Sequence, residues 1–159
     1  MRHTARVRLA LYSDLHLEFA DFEPPALDVD VVVLAGDIAP KLQGLAFAEQ
    51  LALRCPVVYV LGNHEYYGTH TRLVEKLKAL ASSRVHILEN DSVSLHGVRF
   101  LGATLWTDFA LTGDEDRARD EAARLMNDYR RIRSAEHGYK RLTPTRSFLM
   151  HHRSRAFLE

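Results

Sequence analysis

Val57-Val58-Tyr59-Val60-Leu61-Gly62-Asn63-His64-Glu65-Tyr66-Tyr67-Gly68 is the stretch that decides the fold of this chain. An apolar run rich in β-branched Val passes directly into Gly-Asn-His-Glu, which predicts a buried strand that stops where polar groups begin. In an open α/β sheet ligands bind at the carboxyl ends of the strands, because helices cover the faces and only the tips meet a crevice. A glycine at 62 is expected for a tight turn that a Cβ would resist. Asn63 and His64 are both metal-ligating residue types. Glu65 has two open readings: a carboxylate that orients His64, or one that opens a helix.

Two earlier runs end in the same manner. Val7 to Tyr12 predicts a strand followed by Ser13-Asp14-Leu15-His16, and Asp28 to Ala35 predicts a second that ends in Gly36-Asp37. Near-continuous Val and Leu without polar alternation is the pattern of strands covered on both faces. The intervening Glu18 to Pro25 reads as a polar, proline-bearing loop. Gly44 to Arg54 carries Leu45, Ala48, Leu51 and Ala52 at helical spacing and returns the chain to the Val57 strand, a βαβ unit of right-handed crossover. Downstream, Thr69 to Ser82 predicts a helix. Val85 to Leu88, Ser92 to Leu95 and Val98 to Thr104 predict short strands, with His96-Gly97 as a tight turn. Asp114 to Asn127 predicts a helix with acids in its first turn and with Glu115–Arg119 and Asp120–Arg124 pairs. Asn127 to Gly138 reads as irregular, and Thr143-Pro144 opens a last helix running to Glu159.

Composition narrows the function classes. The 159 residues carry 21 basic and 21 acidic side chains, which leaves no electrostatic footprint for nucleic acid or an acidic membrane. No segment has the roughly 18–20 apolar residues of a membrane span, and Met1 to Thr4 lead into a strand-like run, not the long apolar core of a signal peptide. The lone Cys55 cannot form an internal disulfide and reads as a buried structural thiol. These features set the expectation of a cytoplasmic protein. A P-loop is excluded, since no G-x-x-x-x-G-K-[ST] occurs.

Three consecutive strand ends therefore deliver Asp14-x-His16, Gly36-Asp37 and Gly62-Asn63-His64-Glu65. Carboxylate, imidazole and neutral amide ligands suit divalent ions of the Mn, Fe or Zn type. A pair of such ions about 3.5–4 Å apart clamps a phosphoryl group and activates water. The ordered set resembles the calcineurin-like metallophosphoesterases. That resemblance implies a four-layer α/β/β/α sandwich, with Asp14 and His16 as ligands of a first metal, Asp37 bridging, and Asn63 holding the second. It also implies His64 as the acid or transition-state stabiliser while a metal-bound hydroxide attacks a phosphomonoester or phosphodiester in line.

The sequence departs from the family in two ways. The family's downstream strand ending in His and its later G-H-x-H are missing, and His151-His152 reads as a helix face instead. The chain is accordingly expected to be the N-terminal part of the sandwich, a single domain over residues 1–159, truncated at its C-terminus. Its second metal site would be incomplete, and an open sheet edge would invite self-association. Gly36-Asp37 is followed by Ile38-Ala39-Pro40 and not by the G-D-x-x-D-R-G of Ser/Thr protein phosphatases, so a phosphate-ester substrate of another kind is expected. The alternative function is a non-catalytic scaffold of the same fold, as in a retromer subunit that resembles these enzymes. Tyr66, Tyr67 and Trp106 are read as packing residues. Arg130, Arg131 and Arg133 are read as a solvated basic helix end, and His3, His70, His86, His96 and His137 have no spacing that suggests a site.

Overall fold

Four short runs pair side by side in one direction: β1 (Leu9–Tyr12), β2 (Val31–Ala35), β3 (Val57–Val60) and β4 (Val85–Ile87), in the spatial order β1-β2-β3-β4. The register sets Tyr12 beside Leu34 and Leu34 beside Tyr59, so the carboxyl ends of the first three strands share one edge. The computed structural model describes residues 6–26 and 28–159; His3 lies outside them.

Alternation decides what each face buries. Ala10, Val32, Leu34, Val57, Tyr59, Val85 and Ile87 point to one face. There they meet Leu45, Phe47, Ala48 and Leu51 of α1 (Gln43–Ala52) and Leu73, Val74 and Leu77 of α2 (Leu73–Leu80). The helical stripe in the sequence makes α1 a lid for β3 and β4, and Gly44 lets it approach the Tyr59 hydroxyl, which a Cβ at 44 would strike. On the opposite face Val31, Val58 and Leu88 pack with Val93, Leu95 and Phe100 of the antiparallel hairpin β5 (Asp91–Leu95) and β6 (Val98–Gly102). His96 and Gly97 at its turn both take positive φ, 51° and 79°, as a two-residue turn between right-twisted strands requires. The described residues thus build a helix layer, a parallel sheet and a hairpin on its other face, an α/β arrangement.

The C-terminal part completes the helix-side core. α3 (Glu115–Leu125) is capped by Asp114, whose carboxylate accepts from the Arg117 amide at 3.1 Å. Glu115 pairs with Arg119, but Arg124 turns to the Asp120 carbonyl and not to its carboxylate, which corrects the second expected pair. The 127–138 segment is not irregular throughout: it holds α4 (Asp128–Arg131) and β7 (Arg133–Ser134), which pairs with β8 (Lys140–Arg141). Ile132 and Leu142 are the reason, because both are buried in the helix-side core and tie this polar stretch down. α5 (Pro144–Leu158) begins as expected, with Thr143 Oγ1 accepting from the Arg146 amide at 3.4 Å. His152 faces Phe148 on its surface. His151 instead tucks against the loop after β6, its Nδ1 2.8 Å from the Leu105 carbonyl. Cys55 is buried, and burial pushes its thiol above the ordinary range. Among the described residues no helix is long and apolar enough to cross a membrane.

Candidate metal centre

The loops after β1 and β2 are laced together before any side chain is considered. The amides of Asp14, His16 and Leu17 donate to the carbonyls of Gly36, Asp37 and Ile38 at 3.0, 3.0 and 2.9 Å. This lacing holds Asp14, His16 and Asp37 in the left-handed region, at φ of 55°, 46° and 54°. Residues with a Cβ avoid that region, at a cost on the order of 1–3 kcal/mol each, and such strain gathers at functional sites. Asn63 differs: its φ of −76° is right-handed, so its place in the sequence is not explained by turn geometry.

Gly62 is also not there for a turn. A Cβ on it would collide with the Asp37 carboxylate and lie 2.6 Å from the Asp37 amide, so its role is close approach of the β2 and β3 loops. Gly36, at φ 91°, meets Gly62 from the other side: a Cβ there would sit 3.0 Å from Gly62 Cα. Two glycines thus let two polar loops touch.

Glu65 fastens that contact. It is completely buried, and its two oxygens accept from the amides of Ile38 (2.7 Å), Gly62 (2.8 Å) and Asp37 (3.1 Å) and from the Tyr59 hydroxyl (2.9 Å). Burial pushes its carboxyl above the ordinary range, although the hydrogen bonds from Ile38, Tyr59 and Gly62 pull the other way. The same burial, with Glu65 alongside, pushes the Tyr59 hydroxyl well up. Glu65 opens a short 3-10 turn over His64–Tyr66, and its carboxylate ties together the loops that carry the candidate ligands, not the His64 ring. That settles the two open readings.

Above this hub the expected side chains converge. Single ligand atoms of Asp14, His16 and Asp37 lie within 4.8 Å of one another, with His16 Nε2 at 4.0 Å from Asp37 Oδ2. The His64 amide donates to Asp37 Oδ1 at 2.9 Å, and the His64 ring meets the His16 ring edge to face, centroids 4.3 Å apart. Asn63 stands in the same turn and donates through Nδ2 to Asp128 Oδ1 at 2.7 Å, an orientation that leaves its carbonyl oxygen to accept or ligate. All five expected site residues lie on these three strand-tip loops.

Residues not expected to take part also come in. Glu18, in the loop read only as polar, places Oε1 2.9 Å from His64 Nδ1 and 3.5 Å from His16 Nδ1. Partial burial pushes its carboxyl up, but hydrogen bonds from the imidazoles outweigh this and leave it below the ordinary range. The alternating Asp14-x-His16-x-Glu18 was the available signal. Asp128, buried at the start of α4, accepts from Asn63 and from the Tyr67 hydroxyl at 2.8 Å, and no motif marks it. Tyr67 is not a packing residue alone: its ring lies 4.4 Å from that of His64, Arg131 covers it at 5.0 Å, and burial beside Asp128 pushes its hydroxyl well up. Tyr66 is core, as expected, stacked 5.7 Å from Trp106. Beyond Asn63 and Asp128 a cavity of about 420 Å³ opens, walled by Leu105, Trp106, Met126 and Tyr129.

Residues 7–153 match the family model of the calcineurin-like phosphoesterases. The fold is similar to the crystal structure of phosphopantetheinyl hydrolase from Mycobacterium tuberculosis, with a TM-score of 0.64 and 20% identity over 95% of this chain and 61% of that one. A protein of Acanthamoeba polyphaga mimivirus, designated uncharacterized protein L509, is 25% identical over 80% of this chain and 52% of its own length. The chain spans about half the length of that curated relative.

Proposed function

Since the chain belongs to the calcineurin-like phosphoesterase family, we propose that it serves the hydrolysis of phosphomonoesters or phosphodiesters at the strand-tip cluster, with two divalent cations as cofactors. The observation that carries this reading is the convergence of Asp14, His16 and Asp37 within 4.8 Å at neighbouring strand ends, with the His64 ring against His16.

The donor set fits such cations. Two aspartates and a histidine face one another, and among the described residues no lysine or arginine pairs with Asp14, Glu18 or Asp37. Asp14 and His16 would hold one ion of the Mn, Fe or Zn type, Asp37 would be shared, and Asn63 would serve the other through its carbonyl oxygen. Bound there, the ions supply Lewis-acid polarisation of the phosphoryl oxygens and make water a stronger acid.

The chain's own groups do the rest. Asp128 holds the Asn63 amide, so the orientation of that side chain is set before substrate arrives. His64 turns Nδ1 to Glu18, which leaves Nε2 to give a proton to the leaving oxygen or to hydrogen-bond a phosphoryl oxygen as charge develops. Tyr67 backs the His64 ring and limits its rotation. The cavity lined by Leu105, Trp106 and Met126 suits the organic part of an ester.

The test is Mn²⁺-supported hydrolysis of p-nitrophenyl phosphate and of its bis-ester by the parent chain and by His64→Ala. Metal-dependent turnover by the parent and a loss of about 10²–10⁴-fold in the variant are expected. Equal rates would remove His64 from catalysis, and an inert parent that binds no metal would favour the scaffold.

A further inference from the structure

Glu18 lies outside the three strand-tip motifs, yet its Oε1 faces both imidazoles of the cluster, 2.9 Å from His64 Nδ1 and 3.5 Å from His16 Nδ1. A turn closed by the Phe19 amide on the His16 carbonyl, at 2.8 Å, folds the chain back so that this is possible. The side chain is only 18% exposed. Among the described residues, two buried polar atoms here, His16 Nδ1 and Glu18 Oε2, find no hydrogen-bond partner. They belong to neighbouring groups of opposite character: an imidazole nitrogen able to donate, and a carboxylate with room for up to about four donors.

Which ring nitrogen of a neutral histidine carries the proton is fixed by the partner of the other. A carboxylate can only accept, so a ring whose Nδ1 faces Glu18 carries its proton there and keeps the lone pair on Nε2. For His16 that lone pair lies on the side of Asp37, as a ligand nitrogen needs. For His64 it leaves Nε2 as the working atom. We propose that Glu18 is a shared positioning residue: one carboxylate fixes the tautomer and ring plane of His16 and His64 together, and so couples the metal-holding and proton-handling halves of the site. This rests on the phosphoesterase reading for its use in turnover, but not for its geometry.

Long-range ¹H–¹⁵N spectra of the metal-free protein read the tautomers directly. Both His16 and His64 are expected as Nδ1–H forms in the parent, as mainly Nε2–H forms in Glu18→Ala, and as Nδ1–H forms again in Glu18→Gln, whose amide oxygen still accepts. In Mn²⁺ assays Glu18→Ala should lower kcat about 10- to 100-fold with KM little changed, and the loss should be larger for phenyl phosphate than for p-nitrophenyl phosphate, whose leaving group needs less protonation. Unchanged tautomers in a folded Glu18→Ala, or Nε2–H forms in a folded Glu18→Gln, would overturn the proposal. Loss of one bound Mn²⁺ in Glu18→Gln would also overturn it, because Glu18 would then be a ligand. An inactive parent with the expected tautomers would sink the phosphoesterase reading and leave the positioning role intact.

Discussion

On the helix side of the parallel sheet, Ala10, Val32, Leu34, Val57 and Tyr59 all lie buried beneath α1 and α2. On the hairpin side, Val31 and Val58 are as deeply buried under β5 and β6, but Leu9 is 50% and Leu11 67% exposed. The residues of the two faces are alike, so the difference lies in what covers them. A helix crossing above the sheet spans several strands at once, whereas a two-stranded hairpin covers β2 to β4 and stops short of the β1 edge. The candidate site sits at the tips where the well-covered side ends. Rigid packing there lets three loop residues persist in left-handed backbone.

The sharpest way to break the covered side is through Glu65, which lies in it and carries the loops above. Glu65→Gln keeps the volume but replaces an acceptor with an amino group facing amides that also donate. The expected cost is about 3 kcal/mol, in the range found when one member of a buried charged network is removed. Urea unfolding measures it, and a loss under about 1 kcal/mol would show that the loops hold without their hub.

The hairpin side has a carboxylate of its own. Glu89, after β4, accepts from the Thr104 amide at 2.9 Å, and the Thr104 hydroxyl donates to the Leu61 carbonyl at 2.8 Å, so this pair ties the hairpin to β3. Burial holds the Glu89 carboxyl above its ordinary value of 4.5. The folded state therefore binds the proton more tightly than the unfolded state. That contribution to stability is complete below 4.5 and is lost as pH rises through the folded value. Glu89→Gln does not titrate, so the stability of the parent relative to the variant should fall as pH rises from about 4 to 7. Unfolding curves across that range decide it, and a constant difference would show that Glu89 titrates normally.

Much of this was legible in the sequence for a physical reason: Val runs that end in Gly-Asp or Gly-Asn-His leave few places for a chain to put its polar groups. The parallel strands that end at one edge, the helical stripe of α1 and the meeting of Asp14, His16, Asp37 and His64 follow from that. Glu18 and Asp128 did not, because their roles come from contacts 46 and 65 residues away. Gly62 was misjudged as a turn residue because close approach of two loops leaves no mark in one strand's sequence. That the hairpin stops short of Leu9 and Leu11 was hidden as well. An apolar Leu9-Ala10-Leu11-Tyr12 run states that both faces can be buried, not that both are.

The smallest expected effect probes that face directly. Lysine at position 11 can extend its ammonium into water along an exposed strand, and lysine on edge strands discourages strand-to-strand association. With Leu11 already 67% exposed, Leu11→Lys should change stability by no more than about 0.5 kcal/mol, as surface substitutions do. If the exposed edge draws copies together, sedimentation velocity should show less association for the variant than for the parent at equal concentration. A loss of about 2 kcal/mol or more would mean that Leu11 is covered in solution by something the hairpin does not supply. The contrast between the two faces would then lie in which element covers each, and not in how much of each is buried.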